Sequence, residues 1–354
     1  MTKAERGTER VTLAQVAAAA GVSVPTVSKV LNQREDVAPA TRARVEEVLD
    51  VHAYVPRRRR RAPLRRRLDL VLDGLHSWYG MEVIRGVVTA AQDAGVDVTV
   101  GTTPFDLPGA DWVQTVTDHH ALGVIVVTSS LSPEQFAAFQ AAGVPLVVID
   151  PVDVADGVPS VGATNWVGGL TATEHLIALG HRRIAVLGGR PDALCARARV
   201  HGYRAALEAA GIAPDDRLVR YGDFEFELAY RSTGDLLDLD DPPTGIFATS
   251  DTQAFGVVEA ARVRGLRVPQ DLSVVGFDDL SISRWAAPPL TTVRQPMAAM
   301  GQVACQTLLH LADGGPLASN RVELATELIV RESTAPPRTT PPVPPGDDQA
   351  KAQR

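Results

Sequence analysis

Apolar positions along this chain follow two periods. Leu13, Val16, Ala17 and Ala20 fall at i, i+3, i+4 and i+7, one face of a helix, and Val27, Val30 and Leu31 resume that spacing after a Gly21-Val22-Ser23 break. Thr12 and Gln15 can form a capping box, Gly21 supplies the positive φ that ends a helix, and Ser23 is a natural cap for the next. A third helix is expected from Pro39 to about Leu49, with Pro39 at its first position and Val45, Val48 and Leu49 facing the other two. Beyond residue 67 the pattern changes to short, near-continuous apolar runs separated by helical stretches. Strands are expected at 68–74, 97–102, 123–127, 145–150, 183–189, 218–223, 245–250 and 273–279, and helices at 81–94, 166–179, 199–210 and 252–264. Repeated β-α units of this kind imply parallel sheets covered on both faces, here two Rossmann-like halves that break near residue 161.

A three-helix bundle without a ligand would satisfy the N-terminal periodicity, so residue identity has to decide. Val16, Ala17, Ala20, Gly21, Val22, Ser23, Thr26, Val27, Ser28, Lys29, Val30, Leu31 and Asn32 form a long, specific string. It resembles the helix-turn-helix headpiece of the lactose-repressor/galactose-repressor (LacI/GalR) family of bacterial transcriptional regulators, and the resemblance extends to about residue 333. The implied fold is a small all-α headpiece plus an α/β periplasmic-binding-protein-like core of two lobes. On that plan residues 1–56 are the headpiece, 57–67 a hinge, 68–333 the effector-binding and dimerisation core, and 334–354 a disordered, proline-rich tail. Lobe 1 takes about 68–161 and 291–318, and lobe 2 about 162–290 and 319–333. Residues 290–296 are expected to cross back to the first lobe, with a helix from Met297 to Asp313 after them and a final strand, RVELATELIVRES, in the second.

Charge is divided in the same way. Residues 1–67 hold 15 Lys+Arg against 7 Asp+Glu, a surplus of +8, which leaves −15 for the rest of a chain whose net charge is −7. A basic end on an acidic body fits nucleic-acid binding confined to that end. The resemblance places Val24, Pro25 and Lys29 toward bases, where Lys29 can donate to guanine O6/N7. Thr12, Ser23, Thr26, Ser28 and Asn32 suit phosphates. Eight arginines fall within residues 57–67, with Arg57, Arg58, Arg59, Arg60 and Arg61 in one block. In the family this segment enters the minor groove, whose narrow A·T-rich stretches attract arginine. The chain departs from the usual pattern here, because arginines follow Tyr54-Val55-Pro56 where an Asn and an Ala-Arg-x-Leu run are usual. Pro63 shortens any hinge helix, and Leu64 is the candidate wedge between base pairs.

Strand ends collect ligands in open parallel sheets, and here they carry Asp150, Ser250, Asp251, Asp278 and Asp279, with Arg197 and Arg199 after the Gly188-Gly189 turn. Trp78, Tyr79 and Phe224 add aromatic faces. Carboxylates and arginine beside aromatics describe a sugar site better than an anion site. Taken singly, Asp251 reads as the cap of the helix that follows it. By resemblance Arg199 and Asp278 are the effector-binding arginine and aspartate, Asp150, Phe224 and Ser250 line the pocket, and Trp78 or Tyr79 holds the first lobe's aromatic position. Ser250 replaces the commoner Asn.

These features imply a homodimer that binds a near-palindromic operator, represses carbohydrate-utilisation genes and is controlled by a sugar. A nucleobase or other metabolite is the alternative effector. Enzyme motifs do not occur: there is no GxGxxG after a strand, no GxxxxGK[ST] and no GxSxG. No cofactor or metal is expected, because Cys195 and Cys305 are the only cysteines and His119-His120 has no ligand spacing around it. With no apolar stretch of ~20 residues and a polar N-terminus, the expected location is cytoplasmic.

Overall fold

The computed structural model describes residues 11–32, 34, 36–52, 66–102, 107–127, 131–152 and 157–338. Contacts divide the chain into two units, Met1–Leu64 and Arg65–Arg354. The hinge residues Arg57–Arg61 and Leu64 lie outside the described residues.

In the first unit α1 (Leu13–Ala20), α2 (Val24–Leu31) and α3 (Pro39–Val51) surround Val16, Ala17, Ala20, Val27, Val30, Val37 and Val45. The capping box is present: Thr12 Oγ1 accepts from the Gln15 N–H at 3.3 Å, and Gln15 Oε1 accepts from the Thr12 N–H at 2.6 Å. Gly21 stands at φ 65°, a conformation open to glycine without steric cost, and the chain turns there so that α1 and α2 meet at 102°. That angle is a helix-turn-helix angle. At α3 the cap position is Ala38, which makes no side-chain cap bond.

The second unit is built on two six-stranded sheets. The first half of the chain gives β1 (Arg67–Leu72), α4 (Trp78–Asp93), β2 (Asp97–Thr102), α5 (Gly109–Asp118), β3 (Ala121–Val127), α6 (Pro133–Ala142), β4 (Leu146–Ile149) and β5 (Ser160–Ala163). There follow α7 (Asn165–Ala178), β6 (Ile184–Gly188), α8 (Leu194–Ala209), β7 (Val219–Tyr221), α9 (Phe226–Leu237), β8 (Gly245–Ala248), α10 (Asp251–Val263) and β9 (Ser273–Asp278). The chain ends with β10 (Thr291–Arg294), α11 (Met297–Ala312), β11 (Arg321–Leu324) and β12 (Glu327–Ile329). Strand order is β11-β5-β4-β3-β1-β2 in one sheet and β12-β10-β9-β8-β6-β7 in the other. Every pairing is parallel except β10 with β12.

Alternation along the strands gives each sheet two buried faces. Leu68, Leu70 and Leu72 meet α4 and α11, while Val71, Val124 and Val126 meet Trp112 of α5 and Phe139 of α6. In the second sheet Ala185, Leu187 and Ile246 face α9 and α10, and Ile184, Val186 and Phe247 face α7 and α8. The chain passes between lobes after β5, after β10 and after β11. Thr164 and Thr326, on the first and third crossings, are joined hydroxyl to hydroxyl at 3.0 Å, and the Thr326 N–H donates to Thr164 Oγ1 at 3.0 Å.

Three expectations need correction. The segment at 290–296 is itself a strand of the second lobe before it crosses, since Thr291–Arg294 pairs with β9. The final strand is two strands: Arg321–Leu324 pairs with β5 in the first lobe, and only Glu327–Ile329 reaches the second. The tail does not begin at residue 334, because the Ala335 carbonyl accepts from His181 Nε2 at 2.9 Å and from Ser273 Oγ at 2.9 Å, and Arg338 pairs with Asp271. Composition suggested a tail there, but side-chain bonds to single backbone groups fix the segment, and such bonds leave no periodic signal.

Candidate functional site

On α2 the buried residues are Val27 and Val30, so Val24, Pro25, Lys29 and the cap residue Asn32 lie on the exposed side. Ser23 caps the helix, accepting from the Thr26 N–H at 3.4 Å, and its hydroxyl lies 2.8 Å from that of Thr26. Asn32 Nδ2 donates back to the Ser28 carbonyl at 2.8 Å. Lys29 Nζ contacts Asp36 Oδ2 at 2.6 Å with both side chains more than half exposed. The result is a short, capped helix with an exposed lysine and apolar tip, of a size that fits the major groove.

In the second unit, strand ends bring charged groups of both lobes to one cleft. Arg199 on α8 is buried; its guanidinium carbon lies 3.7 Å from the Phe277 ring centroid and 5.7 Å from that of Phe224. Nε donates to Asn165 Oδ1 at 2.8 Å, Nη1 to the Thr249 carbonyl at 2.6 Å, and Nη2 to Gln295 Oε1 at 3.4 Å. Gln295 Nε2 in turn donates to Asp278 Oδ1 at 2.6 Å, which stands 3.9 Å from Arg199 Nη1. On the other lobe the Tyr79 hydroxyl donates to Asp150 Oδ2 at 2.8 Å. Asn165, at the start of α7, joins the two sides: it accepts from Arg199, donates through Nδ2 to the Ala163 carbonyl of β5 at 3.1 Å, and favours the ionised form of Asp150.

Backbone geometry marks the same place. Among the described residues five non-glycine positions have positive φ: His120, Asp150, Phe224, Asp278 and Asp279. His120 follows a helix end, Asp150, Phe224 and Asp278 belong to the network around Arg199, and Asp279 follows Asp278 at the end of β9. Such conformations cost about 1–3 kcal/mol each and gather at functional sites. Phe224 lies against the Gly188-Gly189 turn so closely that a Cβ on Gly189 would come within 2.1 Å of its ring. Any side chain there would displace the aromatic.

Burial dominates the electrostatics. It raises the Asp278 carboxyl well above the usual carboxylate range, with Arg199 opposing and the Asp251 charge adding. Asp150 is raised by burial too, against Arg199 and the Tyr79 bond. Tyr79 is raised by burial and then by the Asp150 charge, and burial pushes the Cys195 thiol up to about 11. One buried guanidinium beside two buried carboxyl groups offers donors and acceptors side by side, and either carboxyl, on ionising, balances the arginine's charge, an arrangement that suits a polyhydroxylated guest. A cavity of about 190 Å³ meets this network at Asp150, Asn165 and Cys195, with Trp166, Leu194 and Arg321 on its other walls, while Tyr79, Arg199, Phe224 and Asp278 lie outside its lining. A larger one of about 700 Å³, on the first lobe, is lined by Leu131, Phe136, Val158 and Leu317 and contains none of these polar groups.

Of the residues expected from sequence, Tyr79, Asp150, Phe224, Arg199 and Asp278 come together. Ser250 is beside them, but its hydroxyl caps α10 at 3.1 Å from the Gln253 N–H and donates to the Phe224 carbonyl at 3.3 Å. Trp78 is 61% exposed and Arg197 is exposed, and neither joins the network. Asp251 is not the cap of α10: it is fully buried and accepts from Ser283 Oγ at 2.6 Å, Thr292 Oγ1 at 2.5 Å and the Leu280 N–H at 2.8 Å. Asp279 is held by Arg294 at 2.8 Å and by Arg331. Sequence reasoning missed Asn165, Thr249 and Gln295, whose only signal was their position beside a strand end or a crossing.

A two-lobed α/β core with a polar cleft, on a chain that also carries a helix-turn-helix, defines a DNA-binding regulator controlled by a small molecule. The description "Bacterial regulatory proteins, lacI family" matches residues 12–57, and "Periplasmic binding protein-like domain" matches residues 173–334. The transcriptional regulator CelR of Thermobifida fusca is 35% identical over 334 residues, 92% of this chain and 98% of CelR. The repressor CytR of Escherichia coli K12 is 32% identical over 337 residues, 94% of this chain and 98% of CytR. Among solved structures, a CelR–cellobiose complex superposes with a TM-score of 0.70 at 33% identity, covering 92% of this chain and 100% of that one. The lac repressor dimer bound to operator and the anti-inducer ONPF gives 0.68 at 28% identity, covering 92% and 100%. The chain belongs to the LacI family of bacterial transcriptional regulators; its relatives are DNA-binding regulators, not enzymes.

Proposed function

We propose that this regulator is a homodimeric repressor of carbohydrate-utilisation genes that reads a near-palindromic operator and is controlled by a sugar in the cleft. The observation that carries the sugar reading is the chain of buried hydrogen-bonding groups from Tyr79 and Asp150 through Asn165 and Arg199 to Gln295 and Asp278, with Phe224 as the apolar face. Sugar hydroxyls both donate and accept, so they can replace each of these bonds in kind. The similarity to a CelR–cellobiose complex supports the same class. Val24, Pro25 and Lys29 contact bases, Thr12, Ser23, Thr26, Ser28 and Asn32 contact phosphates, and Arg57–Arg61 with Leu64 engage the minor groove, where arginine contacts compensate for a wedge weakened by Pro63. A second reading, a nucleobase effector, rests on the Phe224 ring and the Arg199 guanidinium, which also suit a flat heterocycle.

Effector control requires that the sugar favour one arrangement of the lobes, because only differential affinity shifts an equilibrium. A coupling of ~1–3 kcal/mol changes operator affinity about 5- to 150-fold. Fluorescence anisotropy on DNA flanking the protein's own gene, at two salt concentrations and with panels of sugars and nucleobases, tests the proposal. Specific binding altered by one sugar supports it; a response to nucleobases alone selects the second reading.

A further inference from the structure

One residue of the second lobe is buried in the core of the first. Leu280, in the loop after β9, is 3% exposed and packs in the cluster formed by β1, β3, β4, β5, α4 and α11. It follows Asp278 by two residues, across Asp279, and both carboxylates have positive φ. Asp279 is held by Arg294 and Arg331 and the Leu280 N–H by Asp251 Oδ2 at 2.8 Å, while beyond it Ser283 Oγ donates to the same carboxylate oxygen at 2.6 Å, so the segment is tied to the second lobe on both sides of its insertion. The partner of Asp278 repeats the arrangement. Gln295, bonded to Asp278 at 2.6 Å, lies two residues before Met297, which belongs to the same first-lobe cluster.

We propose that Leu280 is the positioning residue that transmits the state of the cleft to the first lobe. Asp278 and Gln295 are buried and bonded to each other beside Arg199, and each is followed at the second position by an apolar side chain seated in the first lobe's core. A guest that takes Asp278 from Gln295 therefore disturbs both insertions at once. A close-packed core answers such a displacement by repacking rather than by yielding smoothly. The inference rests on the reading that this cleft is the effector site, but not on which molecule fills it.

The test needs neither a sugar nor an operator. Asp278→Ala removes the acceptor that Gln295 holds, cutting the link from inside, and amide hydrogen exchange of the full-length protein reads the first lobe at the starts of α4 and α11. With Leu280 present, or with Leu280→Met, which keeps the volume, Asp278→Ala should change exchange there about 5-fold or more. With Leu280→Ala the same change should fall below about 2-fold. Each comparison is made within one background, so a general loss of stability in Leu280→Ala drops out. Should that variant fail to fold, Leu280→Val is expected to give an intermediate response. Equal responses in all backgrounds, or none in any, would overturn the proposal. A sugar panel without a hit would reject the effector class and leave this coupling standing.

Discussion

Arg190 of the second lobe and Asp73 of the first face each other across the cleft at 3.4 Å, and Arg190 is gripped from its own lobe by Asp192 at 2.7 Å. The pair is 34% and 42% exposed, so solvent screens it and its contribution to stability is at most ~1 kcal/mol. It joins elements that separate when the lobes part, so its effect should fall on the opening equilibrium. Asp73→Asn is expected to leave the melting temperature within a few degrees of the parent while raising the open population. Small-angle scattering at low salt should show a larger radius of gyration in the variant, with the difference shrinking at high salt. An identical radius at low salt would remove the pair from any part in closure.

Arg199 has a larger stake. Its planar fork serves Asn165, Thr249 and Gln295 at once and packs on Phe277. A lysine keeps the charge but cannot reach three acceptors or stack, and its ammonium is harder to desolvate. Arg199→Lys should lower unfolding free energy by about 2 kcal/mol or more, from bonds lost by groups that remain buried. Urea titration measures it; a loss below about 0.5 kcal/mol would mean that water substitutes freely and the network is not preorganised.

Much of this arrangement was legible in the sequence, and the gaps have physical causes. Strands such as Gly245–Ala248 and Ser273–Asp278 announce themselves because a strand covered on both faces is apolar throughout. The Thr12–Gln15 box and the Gly21 turn are local chemistry and were readable at once. Ser160–Ala163 was not, because four small residues become a strand only when β4 and β11 supply their partners. Asp251 misled for a related reason. Its position before a helix fits a cap, yet Ser250 does the capping and the Asp251 carboxylate serves Ser283, Thr292 and Leu280, all at least 29 residues away.

Asp278 ties the cleft to pH. Its carboxyl is raised by burial, so the folded chain holds this proton more tightly than the unfolded chain, whose carboxyl has the ordinary value of ~3.9. Stability then falls as pH rises above that value toward the raised folded one. Asp278→Asn has nothing to ionise, and the advantage of the variant in melting temperature should grow from pH 5 to pH 8. A constant difference between the two curves would show that Asp278 ionises as freely in the fold as outside it.

The headpiece carries a removable weakness. Ala38 occupies the cap position of α3 with φ −55° and ψ 137° and no side-chain bond, leaving a first-turn N–H without the partner that a serine hydroxyl would give. Ala38→Ser should stabilise the headpiece by ~1 kcal/mol. Differential scanning calorimetry of the whole protein should show a shift in the headpiece transition alone, since the change touches no residue of the core unit. A shift in the core transition, or none at all, would count against the assignment of residue 38 as the cap.

Lys29 is the only long cationic side chain on α2, and in the free protein it lies 2.6 Å from Asp36. The contact is exposed, so the lysine leaves it for DNA at little cost, and an ammonium with three donors reaches guanine O6 or N7 as a point charge. Two variants separate reading from attraction. Lys29→Ala should reduce discrimination at one base pair of the operator by about tenfold or more while changing non-specific affinity only slightly. Asp36→Asn removes a negative charge beside the same surface and keeps the lysine, so it should strengthen binding to every sequence alike without altering the preferred base. Competition binding with a set of single-substituted operators measures both. If Lys29→Ala weakened all operators equally, Lys29 would be a phosphate contact, and base reading on this helix would fall to Val24 and Pro25 through apolar contact with a thymine methyl.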